Sequence, residues 1–220
     1  MRGISASSAV VWCLRAFARP SSGEWGNVFP LRVVALEYDD TNATGGDPMT
    51  AEESVEGSKP SGPLWDELLA DARTIAEEYR EDGWDAVVLE PTAVSPVDTE
   101  ERLGLEVTVS SEAYGVLEDL IEEGDVTITA ADVYYRPLAD EDSDRRVALT
   151  VERDEMSETA IFVPLTYDLT DCRAVFETAL VEEELLTHVT AAGTERWVSF
   201  SHDDPSLFLE EADVRAWNAD

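Results

Sequence analysis

The chain has 220 residues, of which 49 are acidic and 15 basic, for a formal charge of −34 at pH 7 with 44% hydrophobic residues. Such a charge excludes a surface built for nucleic-acid phosphates or an anionic membrane, which needs clustered Lys and Arg; the one adjacent basic pair, Arg145-Arg146, follows an acidic run from Asp140 to Asp144. The apolar residues are too many and too periodic for a disordered chain, and Cys13 and Cys172, without CxxC or Cys/His spacing, indicate neither a disulfide framework nor a zinc site.

Of the 15 basic residues only Lys59 is a lysine. An acid excess with almost no Lys reads as adaptation to concentrated salt. At about 1 M ionic strength the screening length falls to about 3 Å, which mutes carboxylate repulsion. Long Lys stems would add exposed apolar surface that such salt penalises. The expected setting is a reducing cytoplasm, with high KCl or NaCl needed for stability and no cofactor.

Residues 1–48 hold five acids and four Arg, a net charge of −1, so residues 49–220 carry −33. The apolar run from Ile4 to Phe17 is broken by Arg15, lacks a clean cleavage site and is too short to span a bilayer. The break in composition just before Met49 points to a native start there, with 1–48 outside the native product. The acidic, Gly- and Pro-bearing stretch 50–62 reads as a leader. The expected division is a poorly ordered extension over 1–62, a single domain over 63–212 and a tail over 213–220.

Gly62 and Pro63 open a helix. Trp65, Leu68, Leu69, Ala72, Ile75, Ala76 and Tyr79 share one face, Glu77, Glu78 and Glu81 lie on the wet side, and Gly83 supplies the stop. Ala86 to Leu89 form an apolar strand, and 91–102, with Pro96, reads as a loop. Leu103, Leu105, Val107 and Val109 alternate as a half-buried strand. A second helix follows, capped by Ser110 or Ser111 and stopped by Gly124. Val126, Ile128 and Ala130 alternate and then shift phase to Ala131, Val133 and Tyr135, which suits a bulge near Ala130. Val147, Leu149 and Val151 give the next strand. Ile161, Val163, Leu165 and Tyr167 give another, in which Pro164 marks an edge or a bulge. A third helix, capped by Asp168 or Thr170, carries Cys172, Val175, Phe176, Ala179 and Leu180 on one face. Leu186 and Val189 extend its stripe beyond Glu182-Glu183-Glu184, which interrupts it with a kink or a break. Trp197, Val198 and Phe200 lie in a final strand, and a short packed helix ends the chain. The expectation is an α+β domain: one mixed, largely antiparallel sheet of five or six strands, with about three helices packed mainly on one face.

For chemistry, His202, Asp203 and Asp204 at a strand end are the metal-ligand candidates, opposed by the fact that adjacent residues rarely aim at one ion. His188 on the third helix is about 24 Å along the axis from Cys172, too far for a thiolate–imidazole pair. Asp140, Asp142 and Asp144 imitate the start of a calcium loop, but Arg145 replaces the required Gly and Val151 the closing Glu. No phosphate loop or nucleophile elbow is present. Catalytic and cofactor-binding residues are therefore not assigned.

Leu64-Trp65 through EEYREDGWDAVVLEP, together with WVSFSHDDPSLF, resembles a group of small uncharacterised haloarchaeal proteins over about residues 49–211. The resemblance implies no activity and no functional residue. The expected role is a salt-adapted cytoplasmic module that binds a protein partner or forms a homo-oligomer. The alternatives are a hydrolase or metal-dependent enzyme using an acidic cleft near His202, and a small-molecule sensor with a sheet-lined pocket.

Overall fold

The computed structural model describes residues 13–14, 34–35, 60–99, 102–124, 126–136, 144–194 and 196–217. Apart from 13–14 and 34–35, residues 1–48, read as an extension, fall outside them, as do Asp140 and Asp142 of the calcium-loop-like run.

Helix α1 (Pro63–Glu81) forms as its stripe predicts, with Pro63 in the first turn and Asp66 near the positive end of the dipole. Trp65, Leu68, Ala72 and Ala76 pack on Ala86, Val147, Leu149, Val151, Ala160 and Phe162. Gly83, at φ 96°, turns the chain into strand β1 (Asp85–Val88). The Arg80 guanidinium donates to the Ala86 carbonyl and ties helix to strand.

The remaining elements are β2 (Ala93–Asp98), β3 (Leu103–Val109), α2 (Ser111–Gly124), β4 (Ala130–Arg136), β5 (Arg145–Asp154), β6 (Thr159–Asp168), α3 (Leu169–Glu182), β7 (Leu185–Ala191), β8 (Trp197–His202), a 3-10 turn (Pro205–Phe208) and α4 (Glu211–Trp217). They build two mixed sheets rather than the single sheet of five or six strands expected. Sheet A has the order β4-β5-β6-β1 and sheet B the order β8-β7-β3-β2, with the two-residue segments Cys13–Leu14 and Val34–Ala35 on the outer edges of β4 and β8. Each sheet contains one parallel pair, β1 with β6 and β3 with β7. The chain changes sheet between β1 and β2, through α2, and through α3. Periodicity reports which residues share a face but not which strand is the neighbour, so this division left no trace in the pattern.

Three local expectations are corrected. Residues 93–98 are a strand paired with β3, not loop, because an edge strand tolerates Pro96. The Glu182-Glu183-Glu184 run is a break and not a kink, with the third helix ending at Glu182 and Glu183 left-handed at φ 59°, so Leu185–Ala191 is a strand rather than a helical continuation. Its Thr187, Val189 and Thr190 are β-branched, which suits a pleated surface. There are four α-helices among the described residues, not three.

Caps fall where the residue types allow. Ser110 Oγ accepts from the Ala113 N–H, and Asp168 Oδ1 from the Thr170 N–H. Pro164 sits two residues beyond Phe162, whose carbonyl accepts from Leu89 at the end of β1. By the two-residue period of a strand, its missing N–H faces a side where the neighbour has run out.

Helix α1 covers the outer face of sheet A. The inner faces of both sheets meet in one core, including Val107, Val163, Leu165, Val189 and Phe200, to which α2 adds Leu117 and α3 adds Val175 and Phe176. The Tyr167 hydroxyl donates to the Phe208 carbonyl at 2.5 Å and pins the 3-10 turn to that core. Val214 and Trp217 of α4 pack against it too.

Candidate functional site

Strand β8 alternates. Val198, Phe200 and His202 are buried, while Trp197, Ser199 and Ser201 are half-buried on the other face. His202 therefore points into the space between the sheets, at 3% exposure. Its Nε2 lies 3.2 Å from Thr187 Oγ1 of β7 and 3.6 Å from Glu152 Oε1 of β5 in the opposite sheet. Phe208 meets the ring edge to face, with centroids 5.1 Å apart.

Glu152 has no exposed surface. Neither of its carboxyl oxygens, nor Thr150 Oγ1, nor His202 Nδ1 has a hydrogen-bond partner among the described residues. Buried polar atoms are nearly always satisfied, so this cluster is unusual. Burial pushes the Glu152 carboxyl up to about 8 and the His202 imidazole down to about 4. At neutral pH the pair holds one proton and no net charge.

The end of strand β8 at His202 and the 3-10 turn that follows separate the three metal-ligand candidates. His202 faces inward, Asp203 is exposed, and Asp204 caps the 3-10 turn, accepting from Ser206 N–H at 3.1 Å. Among the described residues no group of three His, Cys, Asp or Glu side chains could hold a metal ion. Glu152 itself was missed for a simple reason. The sequence V-A-L-T-V-E places Val147, Leu149 and Val151 on one face, which makes Ala148, Thr150 and Glu152 read as the wet face. A second sheet covers that face, and nothing in the local pattern announces it.

His188 lies on the outer face of sheet B, not on a helix. Its Nε2 is 3.3 Å from the Leu103 carbonyl, which can only accept, so Nε2 carries the hydrogen. Nδ1 is then free to accept from Ser199 Oγ at 2.7 Å. The result is a hydroxyl, imidazole and carbonyl in series, the arrangement in which a base is oriented towards a nucleophile. The imidazole is only 2% exposed, and burial lowers its pKa to about 4, well below the range of an efficient base. Beside it Arg102 forms an ion pair with Glu106 at 2.7 Å and stacks on Trp197, 4.6 Å from the ring centroid.

Cys172 is buried in α3, and burial, aided by Asp171, pushes its thiol up to about 12, which leaves it a small core hydrophobe. Asp144 accepts from the Thr170 hydroxyl at 3.0 Å and so belongs to the start of α3. No helix among the described residues is long and apolar enough to cross a membrane.

Residues 51–210 match the family of unknown function DUF7529. No curated protein and no solved structure matches the chain.

Proposed function

This chain belongs to the DUF7529 family, whose function is unknown, and from its own geometry we propose that it is a non-enzymatic binding module of a salt-rich haloarchaeal cytoplasm, associating with a second copy of itself through the outer face of sheet B. The observation that carries this reading is the burial alternation of β2, β3 and β8 in that sheet. Val94, Val107, Val198 and Phe200 are buried on the core side, while Val97, Glu106, Trp197 and Ser199 stay half-buried on the other. A half-exposed Trp with a stacked Arg, as Trp197 and Arg102 form here, is the composition favoured at interface centres.

The charge gives this association a signature. Two copies at −34 each repel in dilute buffer, and only concentrated salt brings the screening length down to contact range. Light scattering on the eluting protein, from about 0.1 M to about 2 M KCl, is expected to show dimers that grow with salt and vanish in Trp197→Glu. A protein that stays monomeric at every salt and concentration removes the proposal.

A second reading, an acyl-transferring hydrolase, is favoured by the Ser199–His188 contact alone. Ser199 Oγ would attack an ester carbonyl while His188 Nδ1 takes its proton and returns it to the leaving alkoxide. A fluorophosphonate probe that labels wild type but not Ser199→Ala or His188→Gln supports this reading. No labelling of the wild type ends it.

A further inference from the structure

Glu152 and His202 come from different sheets, and their contact lies in the seam between them. We propose that the pair is a one-proton latch: while it holds its proton the two sheets stay closed, and loss of that proton parts them along this seam. This would give the protein a conformational response to alkaline conditions, independent of the face used for self-association.

The argument is one of partners. A carboxylate inside a protein persists when donors surround it. Here neither Glu152 oxygen has a partner at full hydrogen-bond geometry among the described residues, and the Thr150 hydroxyl on the same strand, which favours the ionised form, is outweighed by burial. Its register neighbour on β6 is Ile161 and on β4 is Ala131. From sheet B it meets His202, with Thr187 behind, and the 3-10 turn supplies Phe208. The charged groups nearby are committed elsewhere. Asp132, whose negative charge also disfavours ionisation of Glu152, pairs with Arg153 at 2.7 Å. Strand periodicity puts both of them on the α1 face of the sheet. Asp154, two residues along the inner face, accepts from Thr127 N–H, Met156 N–H and the Ser157 hydroxyl. Arg146, at the far end of that face, bonds Asp213 of α4 at 2.8 Å. Among the described residues, the titratable group that faces Glu152 from the opposite sheet is His202, with Nε2 3.6 Å from Oε1. With the proton gone, the carboxylate has no compensating charge, and opening the seam to water is the route to hydration.

Amide hydrogen exchange on the full chain in about 2 M KCl tests this, at about pH 6.5 and about pH 8 with intrinsic rates corrected. The opening constant of amides in β7 and β8 is expected to rise roughly tenfold or more between the two, while α1 amides change little. Glu152→Gln keeps the neutral shape and is expected to abolish the rise. His202→Gln leaves Glu152 as the titrating group and keeps the rise. Should one variant fail to fold, the wild-type contrast between β7–β8 and α1 still decides. Equal protection at both pH values, a uniform rise across all elements, or the same rise in Glu152→Gln would each overturn the proposal.

Discussion

Replacing Gly104 by alanine tests how tightly the centre of sheet B is built. A Cβ placed on Gly104 overlaps the Leu186 carbonyl oxygen and lies 2.9 Å from its carbonyl carbon. The obstacle is backbone on the neighbouring strand, so no rotamer change relieves it, and β3 and β7 must separate by roughly an ångström or tilt. Overpacking a core where side chains can shift costs about 1–3 kcal/mol. With rigid backbone on both sides the upper figure applies, and each ladder bond lost from the parallel pairing of 105–109 with 187–191 adds about 1 kcal/mol. A total near 4 kcal/mol corresponds to a melting-temperature drop of roughly 10 °C for a domain of this size. Gly83→Ala is the control. A Cβ there meets nothing within 4 Å, but φ is +96°, so only the left-handed backbone cost of about 1–2 kcal/mol applies. Thermal melts of both variants in about 2 M KCl should rank Gly104→Ala well below Gly83→Ala. If the two melt together, or the order is reversed, the close approach of β3 to β7 is wrong.

Three further outcomes are expected. The folded-state pKa of both histidines is depressed to about 4 from 6.5, so the stability they support is present above 6.5 and is lost as pH falls towards 4. Glu152, raised from 4.5 to about 8, works the other way between those values, so one of the two histidine contributions is offset and a net loss of stability remains as pH falls from roughly 6.5 to 4.5. Urea melts across that range should show it, and His188→Gln should flatten it. Above 6.5 only Glu152 of these three still contributes a slope, so stability should fall again towards pH 8. Dilution of KCl from about 2 M to about 0.05 M should lower the melting temperature in a continuous way as the 49 carboxylates lose their screening; a melt indifferent to salt would deny the halophilic reading of the charge. Asp168→Ala should cost about 1 kcal/mol through loss of the α3 cap, measured by urea unfolding, and an unchanged midpoint would count against that hydrogen bond.

What could be read from residues alone divides along physical lines. Helix α1, with its Pro63 start and Gly83 stop, rests on signals local to a few turns, and so does the alternation of 103–109 and 197–202. Strand β2 was hidden because its pairing with β3 is what makes Ala-Val-Ser-Pro-Val-Asp a strand. The strand around His188 was hidden because three successive Glu look like a wet helical face, when Glu183 is in fact a left-handed terminus. The same limit governs the site. His202 was visible as an imidazole at a strand end, but its partner lies fifty residues earlier in another sheet, and only tertiary structure brings Glu152 to it. The carboxylates that adjoin His202 in sequence lie beyond the end of β8, where Asp203 is exposed and Asp204 is taken up in capping the 3-10 turn.

The two parallel pairings also govern how this chain must be made. Val87 of β1 waits for Ile161, and Val107 of β3 for Val189. During synthesis the first third of the domain therefore leaves the ribosome with an apolar helix face and unmated strand margins, and neither sheet can be completed until most of the polypeptide has emerged. Long-range pairing of this kind is slow and exposes sticky intermediates. The crowd of like charges that burdens the finished protein in dilute buffer would, at that stage, keep neighbouring nascent chains apart.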